Sequence, residues 1–319
     1  MKFHILNLEN KLEEKVVTMP AGDNIVYWRW ASPNIICLVT KKSVFYWLLD
    51  GPDGAPPLKI FDRHEDICGD GIQIIKYDVP PNGMWHLLVG YYTSENRAIG
   101  VMQLFSAESN TSVILHRHVG CFACVQLPGR MEPVAMLCQA SMMPQEPAEL
   151  VVIELRQDGC TRSDRYGVAQ NIICSESPWA VNDFPISLHV NDRLNLIYMT
   201  TRFGYIFVFD ICSGRVISRS HVVDGDPIFA TCLDETSGGL FVLTSRHGQV
   251  LHMTLHSSQV GPFIKNVVKD DNLALTVATR MDQVGKSPLL LSNEVVKVRM
   301  PACLNILMRC SLLLDRCID

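Results

Sequence analysis

A short pattern returns three times along this chain. It reads Thr40-Lys41-Lys42-Ser43-Val44-Phe45, then Thr201-Arg202-Phe203-Gly204-Tyr205-Ile206, then Ser245-Arg246-His247-Gly248-Gln249-Val250. Each copy is a hydroxyl residue, a basic residue, a bulky one, a small one and then an apolar-rich run. Each follows another apolar run: Ile35-Ile36-Cys37-Leu38-Val39, Leu196-Ile197-Tyr198-Met199 and Leu240-Phe241-Val242-Leu243. That is strand, tight turn, strand. The pattern predicts strands over 34–40, 43–48, 194–201, 204–210, 239–244 and 248–254. The second and third copies stand 44 residues apart, the length of one four-stranded propeller blade. A ring of small antiparallel sheets follows, with Thr40, Thr201 and Ser245 at equivalent turns. Function on such a ring belongs in the grooves between blades.

Elsewhere the chain up to about residue 258 is nearly all strand. Runs such as Ile25-Val26-Tyr27-Trp28-Arg29-Trp30, Trp85-His86-Leu87-Leu88-Val89 and Val101-Met102-Gln103-Leu104-Phe105 alternate with turn formers such as Pro80-Pro81-Asn82-Gly83 and Ser237-Gly238-Gly239. Such spacing specifies an all-β sandwich, barrel or propeller, and the 44-residue recurrence favours the propeller. After residue 262 the character changes. Pro262–Val268 and Leu273–Arg280 read as two short helices, the second capped by Asp270-Asp271-Asn272.

Composition excludes several classes. The 319 residues are 48% hydrophobic and 19% charged, which fits a globular chain with a sizeable core and not disorder. A net charge of −5 argues against a nucleic-acid partner, since phosphate binding needs clustered Lys and Arg. No apolar run reaches the roughly 18–20 residues of a membrane span, and the first residues do not resemble a signal peptide. Direct membrane insertion is not expected. The 12 cysteines are irregularly spaced and sit mostly in apolar runs. Buried, reduced thiols and a cytosolic setting are the expectation.

Segments spread along the chain resemble one family. Phe61-Asp62-Arg63-His64, Gln73-Ile74-Ile75, Asn96-Arg97 followed by Met102-Gln103-Leu104, Asn182-Asp183-Phe184-Pro185, Gly204-Tyr205-Ile206, Gly248-Gln249-Val250-Leu251 and Asn272-Leu273-Ala274-Leu275 fall in the order of the clathrin heavy chain amino-terminal domain. The resemblance covers about residues 3–283. It implies an all-β β-propeller of four-stranded antiparallel blades, about five of the family's seven, with a short α-helical C-terminal segment. Met1 aligns inside the second blade, so the expected product is truncated at both ends. Residues 1–258 are then an incomplete propeller, 259–283 the start of a helical zigzag linker and 284–319 a divergent apolar tail. Open ring edges invite association, so poor solubility or oligomerisation is expected.

The resemblance also implies a role and three peptide sites. The role is a coat component on the cytosolic face of coated pits and vesicles, without catalysis or cofactor, whose partners are adaptor proteins carrying clathrin-box-like peptides. The clathrin light chain would be met only through family regions beyond the match. In the main groove Lys11 matches a basic position, while His4 replaces Gln, Leu6 replaces an aromatic residue and Glu13 replaces a second Lys. At a second groove Trp85 and Leu104 match apolar positions, but Ser109 and Val113 stand where the family has Arg and Gln. At a third site, for Trp-containing peptides, Gln73 and Ile75 match and Tyr91 replaces an aliphatic residue. Each set also has a plain reading. Lys11 is then solvated surface, Trp85 an ordinary packed aromatic and Gln73 a strand-end amide. The alternative to adaptor capture is a propeller scaffold that no longer binds clathrin-box peptides, and the expectation for the main groove is undetectable binding.

Other chemistry is poorly supported. His116, His118, Cys121 and Cys124 have the residue types of a zinc site. On a strand, however, the spacing of three sends Cys121 and Cys124 to opposite faces, and no metal is expected. Gly285-Lys286-Ser287 lacks the earlier glycine of a phosphate loop. His64-Glu65-Asp66 beside Cys68 reads as a charged loop. Cys303–Leu314 is apolar, reads as helical, and is too short for a span.

Overall fold

The computed structural model describes residues 2–280 apart from 8, 10, 11, 21, 22, 53, 128, 129, 143–148, 156–169, 172–182, 224, 225, 245–247 and 256, together with residues 311 and 312. The chain forms two compact units, Met1–Phe122 with Leu155–Arg162, and Ala123–Glu154 with Ser163–Asp319.

The first unit starts with a two-stranded antiparallel sheet, β1 (Lys2–Asn7) and β2 (Leu12–Thr18). A four-stranded sheet follows from β3 (Ile25–Ser32), β4 (Ile35–Thr40), β5 (Ser43–Leu48) and β6 (Leu58–Asp62). After the short helix α1 (Glu65–Cys68) comes another four-stranded sheet: β7 (Gln73–Asp78), β8 (Trp85–Ser94), β9 (Arg97–Ser106) and β10 (Thr111–Leu115). Both four-stranded sheets are antiparallel meanders, as turns of this length require. The turn between β8 and β9 holds Glu95 and Asn96 at φ 49° and 61°, the left-handed pair that matches the twist of a tight hairpin. Cys37, Val39, Val44 and Phe61 of one sheet pack on Ile74, Tyr77, Leu88, Val101 and Phe105 of the next. Phe61 and Phe105 stack with ring centroids 4.6 Å apart. Polar groups inside this layer are paired, as burial demands. The Tyr46 and Tyr77 hydroxyls lie 2.7 Å apart, and Tyr77 reaches His86 Nδ1 at 2.6 Å.

The chain passes into the second unit within β11 (Val119–Val125), which leads a sheet completed by β12 (Val134–Ser141), β13 (Glu149–Glu154) and β14 (Gln170–Asn171). The next sheet is β15 (Pro185–Asn191), β16 (Leu196–Thr201), β17 (Tyr205–Asp210) and β18 (Val216–His221). Every residue of β16 and β17 is buried, which explains their unbroken apolar runs: a strand covered on both faces need not alternate. The last sheet holds β19 (Ile228–Leu233), β20 (Leu240–Thr244) and β21 (Val250–Met253). Its fourth strand is β22 (Ser311–Leu312), with Leu312 opposite Leu251. The helical reading of Cys303–Leu314 is therefore corrected at these two positions, where the backbone pairs with β21. The other residues of that segment lie outside the described residues.

Between β21 and β22 come α2 (Ser257–Phe263), a π-helical turn over Ile264–Val268, and α3 (Asp271–Arg280). Helix thus begins before Pro262, the position read from sequence. Pro262 removes one backbone donor from the last turn of α2, and the chain continues from there as the π-helical turn. Asp270 Oδ1 accepts the Leu273 N–H at 3.0 Å and caps α3. Val260, Phe263, Ile264, Leu273, Ala274 and Val277 join Leu196, Tyr198, Leu240 and Met253 in one core.

The fold thus contains five four-stranded antiparallel sheets and one two-stranded sheet among the described residues. The six strands foreseen from the repeat are β4, β5, β16, β17, β20 and β21. At the turns, Thr40 Oγ1 accepts the Ser43 N–H at 3.0 Å and Thr201 Oγ1 accepts the Tyr205 N–H at 3.2 Å. In the third copy that role falls to Thr244, which accepts the Gln249 N–H at 3.1 Å. Ser245, the position read from sequence, lies outside the described residues. Gly204 sits at φ 90° in the second turn, a conformation that excludes most side chains.

Candidate functional site

The motifs that carry the family resemblance are largely structural ties. In Phe61-Asp62-Arg63-His64, the buried Arg63 donates from Nη1 to the Thr40 carbonyl at 2.8 Å and from Nη2 to the Ile67 carbonyl. The His64 N–H donates to Gln103 Oε1 at 2.9 Å. Gln103 Nε2 donates to the Asp62 carbonyl at 2.9 Å and to Ser112 Oγ at 2.8 Å. One amide thereby fastens the end of β6 to β9 and β10. Asp183 works similarly: its Oδ1 accepts from the Phe184 and Phe203 N–H groups at 2.9 and 3.1 Å, which shapes the Thr201–Tyr205 turn. Burial pushes its carboxyl above the ordinary range, opposed by those hydrogen bonds.

Of the main-groove residues, His4 and Leu6 are exposed on β1, and Leu6 lies opposite Glu13 of β2. Lys11 lies outside the described residues. At the second groove, Trp85 is 4% exposed and Leu104 1% exposed, both inside the sheet of β7 to β10. Val113 is the exposed neighbour of Leu104 on β10, and Ser109 bonds within its turn, its N–H donating to Ser106 Oγ and its hydroxyl lying 2.7 Å from Thr111 Oγ1. As placed, Trp85 and Leu104 are core.

The third set is the one the fold gathers. Gln73, at the start of β7, pairs directly with Tyr91 of β8, and Ile75 occupies the irregularity between the Ile74–Gly90 and Lys76–Val89 pairs. Gln73 is exposed, while Ile75 and Tyr91 are half-buried. Burial pushes the Tyr91 phenol well above its ordinary value, so it is a neutral hydrogen-bonding group at every physiological pH. Tyr91 also meets the His118 ring edge-on at 6.1 Å. An amide beside an aromatic ring can hold a planar apolar group and orient a polar one.

The residues considered for metal chemistry do not converge. Cys121 is buried and Cys124 exposed. His118 is buried, with Nε2 3.0 Å from the Ala98 carbonyl, and burial lowers its pKa. Among the described residues no three His, Cys, Asp or Glu side chains form a cluster able to hold a metal ion. His64-Glu65-Asp66 forms the start of α1, where His64 Nδ1 accepts the Asp66 N–H, and burial raises the Cys68 thiol. No described helix is long and apolar enough to cross a membrane.

Sequence reading passed over one surface feature. Trp28 and Trp30 alternate on a regular stretch of β3, so their side chains share a face, and both are exposed. Two tryptophans at a spacing of two on one strand were the available signal.

Successive four-stranded antiparallel sheets, with hydroxyl-capped turns between strands of three of them, mark a β-propeller. The structure of the dihydro-heme d1 dehydrogenase NirN in complex with DHE shares the fold, with a TM-score of 0.52 at 10% identity over 80% of this chain and 51% of that one. No family model matches the chain. Among curated proteins, the clathrin heavy chain of Drosophila melanogaster is 34% identical over 286 residues, 89% of this chain and 16% of the relative. Human clathrin heavy chain 2 is 30% identical over 285 residues, 89% of this chain and 17% of the relative. The chain belongs to the clathrin heavy chain family. It spans about one sixth of the length of the curated relatives it matches.

Proposed function

We propose that this chain is a non-catalytic part of a clathrin coat, whose propeller sheets hold short adaptor peptides in vesicle-mediated intracellular protein transport and endocytosis. The setting is the cytosolic face of coated pits and coated vesicles. The observation that carries the reading is the identity of 34% over 286 residues to a clathrin heavy chain. In this reading the contact with clathrin light chain belongs to parts of the relatives outside the matched span. Peptide capture centres on Gln73, Ile75 and Tyr91, because their register supports it: an exposed amide directly across from a half-buried phenol.

One observation favours a second reading for the other groove, a scaffold without clathrin-box binding. Glu13, in register with Leu6, stands where the resemblance has a lysine, so this position carries the same sign of charge as an acidic peptide. An exposed like charge alone weakens binding by only about 0.2–1 kcal/mol. Loss of apolar burial weighs more, at roughly 1.5–3 kcal/mol per leucine side chain.

Titration of two labelled peptides against the chain tests both readings. A Trp-containing peptide is expected to bind and to lose affinity on Gln73→Ala, while an acidic, leucine-rich clathrin-box peptide gives no measurable binding. Binding of the clathrin-box peptide in the micromolar range would remove the second reading. No binding of either peptide would remove adaptor capture by this chain.

A further inference from the structure

Among the described residues, the first strand of a sheet carries the same irregularity in four places. A one-residue bulge stands near the start of β3, β7, β15 and β19, and the extra residue is Val26, Ile75, Ile186 and Phe229 in turn. A bulge re-aims its extra side chain out of the strand's alternation. On β19 that side chain is a phenylalanine, 72% exposed. Beside it stands a cation. The Ile228 N–H donates to the Arg202 carbonyl at 2.8 Å, which ties the start of β19 to the turn after β16. Arg202 is exposed, and its guanidinium carbon lies 5.7 Å from the Phe184 ring centre and 5.9 Å from that of Phe203. Two rings thus hold the cation, and among the described residues no carboxylate pairs with it. A hydroxyl chain runs between the same two first strands. His189 Nε2 and Thr231 Oγ1 are 2.8 Å apart, and Thr231 donates to Ser187 Oγ at 2.6 Å. The Thr231 proton is used in the second bond, so His189 is the donor in the first. The Ser187 proton then meets no acceptor among the described residues.

We propose that Phe229 and Arg202 form a peptide site of their own, which takes a short segment pairing an aromatic side chain with a carboxylate. Charge and shape select this occupant. A guanidinium held on its faces by rings keeps its N–H edge for a two-point bond to a carboxylate. An exposed ring is well covered by a second ring, offset or edge-on. Aromatic residues and arginine are also the side chains in which binding energy concentrates. The Ser187 hydroxyl supplies a donor for a carbonyl of the segment. A leucine offers no ring to Phe229, so a leucine-rich acidic segment is not the expected ligand. The site draws on β15, the turn after β16 and β19 alone. It goes beyond peptide capture at Gln73, Ile75 and Tyr91, and neither site requires the other.

The probe is a fluorescein-labelled hexapeptide of glycine and serine around a central phenylalanine–aspartate pair, titrated against the full chain by fluorescence anisotropy. Saturable binding is expected. Phe229→Ser and Arg202→Gln should each weaken it several-fold with circular dichroism unchanged, since both side chains are exposed. Asparagine in place of the peptide's aspartate should cost about as much as Arg202→Gln, and the two changes together no more than either alone. The asparagine peptide needs no protein variant, so it keeps the test valid if one misfolds. Gln73→Ala should leave this binding unchanged while it weakens the Trp-containing peptide, so the two sites stand or fall separately. No saturable binding overturns the proposal. So does binding indifferent to both variants or to the asparagine exchange, and so does binding lost on Gln73→Ala. Sedimentation velocity addresses another occupant: a dimer that Phe229→Ser dissociates would assign the patch to a second copy and overturn the proposal.

Discussion

Arg280, the last residue of α3, donates from Nη1 to Oδ1 of Asp210 at the end of β17, at 2.5 Å. The Asp210 side chain is buried and that of Arg280 largely so. The same guanidinium reaches the Leu194 carbonyl at 3.4 Å, and at the opposite end of α3 Arg215 pairs with Asp270. Two ion pairs thus fasten a ten-residue helix to the sheet of β15 to β18, at both of its ends.

Removing one partner strands the other charge in a poorly solvated place, which costs about 3–5 kcal/mol in buried pairs. Arg280→Met is therefore expected to lower unfolding free energy by several kcal/mol in urea titration and to make the α2–α3 region the first site of proteolysis. Arg215→Met, at an exposed arginine, should cost under about 1 kcal/mol. Equal effects of the two would show that burial does not decide the strength of these ties.

His86 supplies a pH-dependence. Burial holds its pKa down to about 4, against about 6.5 for a free imidazole. The native state therefore resists a proton that the unfolded chain accepts, and stability rises with pH wherever the unfolded state binds more protons. The contribution is complete above pH ~6.5 and is lost as pH falls toward 4, by up to roughly 3 kcal/mol. His118, also lowered by burial, acts in the same direction. Urea titrations at pH 7 and pH 4.5 should show the loss, and His86→Gln should shrink it. A pH-independent midpoint across that window would contradict the assignment.

The turn hydroxyls make a matched set. Thr40 Oγ1 both accepts the Ser43 N–H and donates to the Ser43 carbonyl, each at 3.0 Å, inside the protein. Thr40→Val keeps the shape and leaves a buried N–H unsatisfied, for about 1–3 kcal/mol. Thr201→Val removes one acceptor from the Tyr205 N–H and should cost a similar amount. Thermal melts of both variants check this, and a change under a few tenths of a kcal/mol in either would show that its turn does not rely on the hydroxyl.

Trp85 and Gln73 should separate packing from recognition. Trp85→Ala opens a cavity in the sheet of β7 to β10 and should destabilise by about 3–5 kcal/mol. Gln73→Ala, at an exposed strand end, should leave the melt within about 0.5 kcal/mol and weaken Trp-peptide binding. Binding lost in a Trp85→Ala chain that melts normally would instead restore the second groove as a recognition site.

Much of the architecture was legible from local pattern. β-Branched and aromatic runs bounded by glycine, proline and asparagine announce short strands, and the returning hydroxyl-turn motif announces that they repeat. Those signals are written over a few residues, as is the Asp270 cap of α3. The strand at Ser311–Leu312 was not legible, since an apolar run states that it seeks burial and not which partner will supply it. The motifs that carry the resemblance mark places where the chain ties itself together, through Arg63, Gln103 and Asp183.

The sequence by itself determined the antiparallel strand repeat, the helical turn after β21 and the kinship with clathrin heavy chains, because periodicity, turn chemistry and residue order are local properties. Only the tertiary structure decided which side chains are available for contact. Trp85 and Trp30 are both strand tryptophans in similar apolar runs, yet one is buried within its sheet and the other stands exposed. Exposure depends on what packs across from a residue, and that neighbour comes from distant chain, beyond the reach of any window of sequence.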